Sequence, residues 1–161
     1  MDDLSTAEPD TYVLGIIDPD RDDVRRLIAS SDRYLASLYP AESNHLTDIS
    51  TLASSRVTLL GVLDAGEAVG CGALVRTGPG ECELKRMFVA APHRGRGLAR
   101  RILRALEAIA REEGRIVRLE TGVKQPEAIA LYRSAGYAEI EAFGSYAPDP
   151  LSVFMERRLT D

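Results

Sequence analysis

Five arginines crowd one short stretch of an acidic chain. "PHRGRGLARRILR" carries Arg94, Arg96, Arg100, Arg101 and Arg104, yet the 161 residues hold 25 Asp and Glu against 20 Lys and Arg, for a formal net charge of −5. Leu98, Ile102, Leu106 and Ile109 recur at helical spacing after Gly97, so the arginines gather where a helix begins. Amide dipoles make a helix start positive, which favours Asp and Glu there rather than cations. Arginines at such a place, beside Gly95 and Gly97, point to a bound anion. Unpaired amides face it, guanidinium groups neutralise it, and the absent side chains let it approach the backbone. The amides of Arg96 to Ala99 and the side chains of Arg94 and Arg96 are the expected contacts. Arg101, Arg104 and Arg111 read as a solvated face.

The elements that must hold this loop follow from pattern. "TYVLGII" (Thr11 to Ile17) reads as a strand, and the helix after it has Asp18 or Asp20 as its cap and ends at Pro40. A short second helix is predicted around Leu46 to Leu52. "RVTLLGVLD", "EAVGCGALVRT" and "ECELKRMFV" then form an antiparallel meander through the "AG" and "GPG" turns. A helix over Gly97 to Glu113, closed by Gly114, leads to the strand "RIVRLET", the short helix in "QPEAIALYRSAGY" and a last strand, "LSVFMERRL". "AEIEAF" is a further short strand candidate. Alternation puts Glu83, Lys85 and Met87 on one face of "ECELKRMFV" and Leu84, Arg86 and Phe88 on the other.

Composition narrows the class of function. With 45% hydrophobic and 28% charged residues, the chain reads as one globular domain, 1–161, whose first ten residues are expected to be mobile. The acidic balance argues against a nucleic-acid or anionic-membrane surface, so a local basic loop implies a small anionic ligand. "MDDLSTAEPD" lacks the regions of a secretory signal, and the expected location is the cytoplasm. The hairpin register sets Cys71 near Met87 and Cys82 opposite Arg76, too far apart to bridge. Two cysteines and two histidines without ligand spacing give no expected metal site.

Three motifs now coincide. "MFVAAPHRGRGLA" fits Gln/Arg-x-x-Gly-x-Gly/Ala at Arg94, Gly97 and Ala99; "QPEAIALYRSAGY" fits Asn-x-x-Ala-x-x-Leu-Tyr at Ala128, Leu131 and Tyr132, with Gln125 where Asn is usual; Glu83 precedes both. Over roughly residues 57 to 141 the sequence resembles the Gcn5-related N-acetyltransferase (GNAT) superfamily. The resemblance implies a three-layer α/β fold, with a mixed, splayed sheet of six to seven strands and helices on both faces. It implies acetyl-coenzyme A as co-substrate, with its pyrophosphate on Arg94, Gly95, Arg96, Gly97, Leu98 and Ala99, and further contacts at Met87, Phe88, Val89, Gln125 and Ala128. A bulged strand near Phe88 and Val89 would offer an amide to the thioester oxyanion.

Acetyl transfer needs an uncharged amine and a protonated leaving sulfur. The resemblance gives Glu83 the amine's proton and Tyr132 the proton for sulfur, where their alternatives are a surface strand residue and a packing residue. Asn44, His45 and Tyr146 lie in polar, aromatic connectors and are acceptor-site candidates, and Arg86 or His45 would hold an acceptor carboxylate; Asn44 serves equally as a helix cap. The expected activity is direct transfer, in a ternary complex, to a primary amine of a small molecule. Acetylation of a protein Lys or N-terminal amine, and a non-catalytic acyl-coenzyme A sensor, are the alternatives. Late strands in the family often contribute to dimers, so a homodimer is a further expectation. Gly95-x-Gly97 with Glu120 downstream also half-resembles a dinucleotide fingerprint, but Arg100 fills its third small position and the preceding strands are antiparallel.

Overall fold

A computed structural model of the chain describes residues 11–113 and 115–159. The elements run β1 (Tyr12–Ile16), α1 (Asp22–Leu38), α2 (Ile49–Leu52), β2 (Val57–Asp64), β3 (Glu67–Gly78), β4 (Glu81–Val89), α3 (Leu98–Glu112), β5 (Ile116–Gly122), α4 (Pro126–Ser134), β6 (Ala138–Ile140) and β7 (Ser152–Arg158). The strands form a seven-stranded sheet in the order β1-β2-β3-β4-β5-β7-β6. The expected mobile start, 1–10, and the glycine expected to close α3, Gly114, lie outside the described residues.

Helices cover both faces, and each face has its own core. Val24, Leu27 and Ile28 of α1 pack with Leu52 of α2, Leu59, Cys71 and Ala73. On the other face Leu98, Ile102, Leu103, Leu106 and Ala110 of α3 join Leu74, Leu84, Val117, Leu119 and Tyr132. The α3 stripe follows the 3.6-residue period seen in the sequence. Cys71 faces Phe88 and Cys82 faces Arg76 across the hairpin. Both thiols are free, and burial raises them to about 12 and about 11.

Two junctions depart from the expected boundaries. Neither Asp18 nor Asp20 caps α1: Pro19 sits in a turn closed by Arg21 N–H on Asp18 O (3.2 Å), and the helix starts at Asp22. Asp18 Oδ1 accepts from the Asp20 amide instead (2.9 Å). The second helix is shorter than Leu46 to Leu52. Ala41–Ser43 is a 3₁₀ turn, and α2 begins after Asp48, whose Oδ1 accepts from Thr51 N–H at 2.8 Å. Asp48, not Asn44, is therefore the cap.

The sheet carries two features that make a site. β4 and β5 are parallel and pair only from Glu81↔Ile116 to Leu84↔Leu119, so beyond Leu84 the strands are open to a ligand. β4 also bulges. Cys71 pairs with Phe88 and Ala73 with Lys85, leaving Gly72 opposite both Arg86 and Met87, and Arg86 takes φ +58. The extra residue resets the alternation. Met87 crosses to the α3 face, where a Cβ on Gly72 would lie 2.4 Å from its sulfur. Arg86 and Phe88 join Glu83 and Lys85 toward α1, which corrects the uninterrupted alternation expected from sequence.

Candidate active site

The opening between β4 and β5 is a cavity of about 610 Å³. One half is built largely of backbone. After β4 the chain makes a 3₁₀ turn at Ala91–His93 and passes Gly95 and Gly97 at φ +78 and +77. A Cβ on either glycine would meet nothing within 4 Å. The space is thus open, and the left-handed backbone is the reason for glycine. The first helical bond of α3 runs from Arg101 N–H to Gly97 O at 3.1 Å, so the amides of Leu98, Ala99 and Arg100 have no helical acceptor. The first turn contains no acidic residue. An amide cluster at the positive end of a helix, reached through an open glycine loop, fits a pyrophosphate.

The arginines are arranged less simply than their spacing implies. Arg94 lines the cavity, but its Nε donates to Val89 O (2.8 Å) and its guanidinium lies over Tyr34 and Phe88, 5.2 and 5.4 Å from the ring centroids. Arg96 turns toward β1 and donates to Tyr12 Oη at 2.8 Å, away from the cavity lining. Arg100 lines the cavity and donates to Ser134 Oγ of α4 (2.8 Å).

Met87, Phe88, Val89, Gly95, Gly97, Leu98, Ala99, Gln125, Ala128 and Tyr132 line the same cavity. Tyr132 is 5% exposed and packs edge-on against Tyr137. Burial, with Glu120's charge second, pushes its phenol well above the usual range, which keeps it protonated as a donor.

The other half is built of side chains from four segments. Tyr146 donates to Glu83 Oε2, and Lys85 Nζ lies 2.7 Å from Tyr146 Oη and 3.3 Å from the same carboxylate oxygen. His45 meets the Tyr146 ring edge-on at 4.9 Å. Ser43 Oγ donates to Asp149 at 2.7 Å, tying the connector after α1 to the loop before β7. Asn44 Nδ2 donates to Tyr39 O at 3.5 Å. Arg86 faces the cavity, but its guanidinium is spent on the scaffold: it pairs with Asp32 of α1 (2.6 Å) and donates to Thr47 O (2.9 Å). That anchor holds the bulge against α1.

Three lining residues carry no motif and were missed. Tyr39 lies so close to β5 that a Cβ on Gly122 would fall 1.9 Å from its hydroxyl; it donates to Gln125 Oε1 and accepts from Lys124 N–H, both at 3.1 Å. Lys85 completes the Glu83–Tyr146 cluster. Glu120, at the end of β5, was weighed only as a ribose ligand of the dinucleotide reading. It lines the cavity, and burial raises it to about 7, opposed by Ser152 and Lys85 and aided by Glu83 and Asp149. A charged residue two places after Arg118 in "RIVRLE" was the available signal, since both share a strand face.

The comparisons agree with this geometry. The profile of the acetyltransferase (GNAT) family matches residues 22–137. IAA acetyltransferase of Azospirillum brasilense is 50% identical over 143 residues, 88% of this chain and 94% of that protein. A Klebsiella pneumoniae structure described as an acyl-CoA N-acyltransferase is 42% identical with a TM-score of 0.80, over 92% of this chain and 97% of that one. PaiA N-acetyltransferase of Thermoplasma acidophilum, solved with coenzyme A, shares the fold at 15% identity and a TM-score of 0.73, over 91% and 98% of the two chains. With its splayed strands, bulge and amide-lined loop, the chain belongs to the acetyltransferase (GNAT) family and is an N-acetyltransferase.

Proposed function

We propose that the enzyme moves an acetyl group from acetyl-coenzyme A to a primary amine of a small molecule by direct transfer in one ternary complex. The observation that carries this reading is that the amide-lined loop, Tyr132 and the Glu83–Lys85–Tyr146 cluster line one cavity. The thioester carries the acetyl group. The loop from Arg94 to Ala99 holds the pyrophosphate, the bulged part of β4 presents backbone to the thioester carbonyl, and Tyr132 protonates the departing sulfur. Gln125 and Ala128 border the pantetheine arm. Glu83, the carboxylate the sequence nominates as base, stands in the acceptor half beside Lys85 and Tyr146.

A small acceptor is favoured over a protein chain by the wall around that half. The Ser43–Asp149 hydrogen bond and the His45–Tyr146 contact join two connectors beside the Glu83–Lys85–Tyr146 cluster, a wall that suits a small amine better than a peptide. The name of the Azospirillum relative, IAA acetyltransferase, also points to a small acceptor. The two buried, unpaired cysteines suit the cytoplasm, and no described helix is long and apolar enough to cross a membrane.

The test is thiol release by the purified protein from acetyl-coenzyme A across a panel of primary amines, beside a lysine-containing peptide. Acceleration by an amine and not by the peptide supports the reading. Faster turnover of the peptide moves it to the protein-acetylating alternative, and binding without turnover of either moves it to a sensor.

A further inference from the structure

We propose that Glu120, at the end of β5, is the catalytic residue that takes the proton of the acceptor amine, and that Glu83 is a positioning residue holding Tyr146 and Lys85 in the acceptor wall. This rests on the acetyl-transfer reading above and assigns its base.

The argument starts from where the sheet opens. Pairing between β4 and β5 stops at Leu84↔Leu119, so Lys85 and Glu120 are the first residues beyond the last pair. β5 alternates, and Glu120 shares a face with Arg118, which pairs with Glu83. The Glu120 carboxylate therefore stands on the acceptor face at the point where the strands separate. On its far side Glu120 stays paired with Phe154 of β7, and Ser152 Oγ donates to its Oε2 at 2.8 Å. One oxygen is thus fixed by a neutral donor, and the strand that carries it is held on its β7 side.

Glu83 is held differently. Its Oε2 already accepts from Tyr146 and lies 3.3 Å from the Lys85 ammonium, so an incoming ammonium at that oxygen must displace a donor or meet a cation. A carboxylate so engaged is suited to holding neighbours in place. Several charged or titratable groups reach Glu120: Glu83 and Lys85 on β4, Asp149 on the loop before β7, Tyr146 on that loop, Tyr39 after α1 and Tyr132 on α4. Burial dominates and leaves the carboxylate near 7, within the range where it can both accept and release a proton at neutral pH.

The protons then balance. The ammonium gives its first proton to the Glu120 carboxylate, and the freed lone pair forms the C–N bond at the thioester carbonyl. The C–S bond breaks with its electron pair on sulfur, which takes the Tyr132 proton. The nitrogen's second proton restores Tyr132, and Glu120 releases the first to solvent.

The experiment measures thiol release from acetyl-coenzyme A with tyramine, 2-phenylethylamine, lysine and spermidine as acceptors, across pH 5.5 to about 9, for wild type, Glu120→Gln, Glu83→Gln and Ser152→Ala. Acetyl-coenzyme A affinity is measured in each variant as a check of folding. In parallel, the Glu120 carboxyl carbon is titrated by ¹³C NMR in free wild-type protein, which needs no acceptor. The expected wild-type kcat/KM falls with acid near pH 7. Glu120→Gln is expected to lose about 10²–10⁴-fold at pH 7 and to lack that limb. Glu83→Gln keeps the limb, moved down because a neighbouring negative charge is gone, and Ser152→Ala moves it up because a donor to the carboxylate is lost. The proposal is overturned if the Glu120→Gln profile superimposes on wild type, if the limb disappears in Glu83→Gln but survives in Glu120→Gln, or if the carbon titrates in the ordinary carboxylate range. No turnover of any amine by wild type would instead overturn the acetyl-transfer reading, and this assignment with it.

Discussion

The two halves of the cavity are made of different material. The half assigned to coenzyme A is mainly backbone: two left-handed glycines, the unpaired amides of α3 and a bulge. The acceptor half is a set of interlocking side chains, Glu83, Lys85, Tyr146, His45, Asp149 and Glu120, drawn from β4, β5 and two connectors. Backbone amides cannot be changed by substitution, so the first half tolerates most replacements that keep φ and open space. Side chains can be exchanged one at a time, so the second half is where acceptor choice can change while the fold stays constant.

The largest expected effect falls where the halves meet. Tyr132→Phe keeps the ring and its contact with Tyr137 but removes the hydroxyl, and turnover is expected to fall about 10²–10⁴-fold with acetyl-coenzyme A affinity unchanged. Steady-state rates beside calorimetry check this; wild-type turnover would make Tyr132 a packing residue. A smaller effect is expected in the acceptor half. Tyr146→Phe releases Lys85 and Glu83 from their shared hydroxyl and is expected to raise the amine KM about tenfold, as expected for a lost hydrogen bond to a charged group, about 1.5–3 kcal/mol. An equal loss of acetyl-coenzyme A affinity in this variant would erase the distinction between halves.

Within the backbone half the arginines should differ from each other. Charge-assisted contacts are worth about 1.5–3 kcal/mol, so Arg94→Ala is expected to weaken acetyl-coenzyme A binding about tenfold or more. Arg96→Ala should weaken it less, because Arg96 is directed onto Tyr12. Calorimetry at fixed salt ranks them, and the reverse order would mean that Arg96 swings into the cavity on binding.

The same division explains what could be read in the sequence. A glycine loop and an apolar stripe are local patterns, so the α3 start, the meander and the position of Tyr132 were legible from consecutive residues. The bulge was expected near Phe88, but its effect on alternation was not. One extra residue at Arg86 reverses every later side chain, and its anchor, Asp32, is more than fifty positions away. For the same reason the sequence offers Arg86 to the acceptor, whereas the structure spends it on Asp32 and Thr47. Glu120 was hidden further, because its raised protonation comes from burial and from the carboxylates of Glu83 on β4 and Asp149 on a loop, none of which a strand pattern displays.

The last expected effect is thermodynamic and separates Glu120 from an ordinary surface acid. Its native pKa of about 7 lies above the ordinary 4.5, so between those values the native state binds more protons than the unfolded chain. The associated stability is full below about pH 4.5 and is lost as pH rises through 7. Asp23 behaves oppositely: Arg21 and the Ala68 amide hold it at about 2, so its contribution is lost only as pH falls toward that value. Glu120→Gln removes the first dependence and leaves the second. The melting temperature of the variant minus that of wild type should therefore rise by roughly 5–10 °C from pH 4.5 to 7.5, since the raised pKa corresponds to about 3 kcal/mol and about 1 kcal/mol to roughly 2–4 °C in a domain of this size. Taking the difference cancels the other carboxylates. Parallel melting curves across that window would place Glu120 in water, and the acceptor half would then lack an acid that titrates near neutral pH.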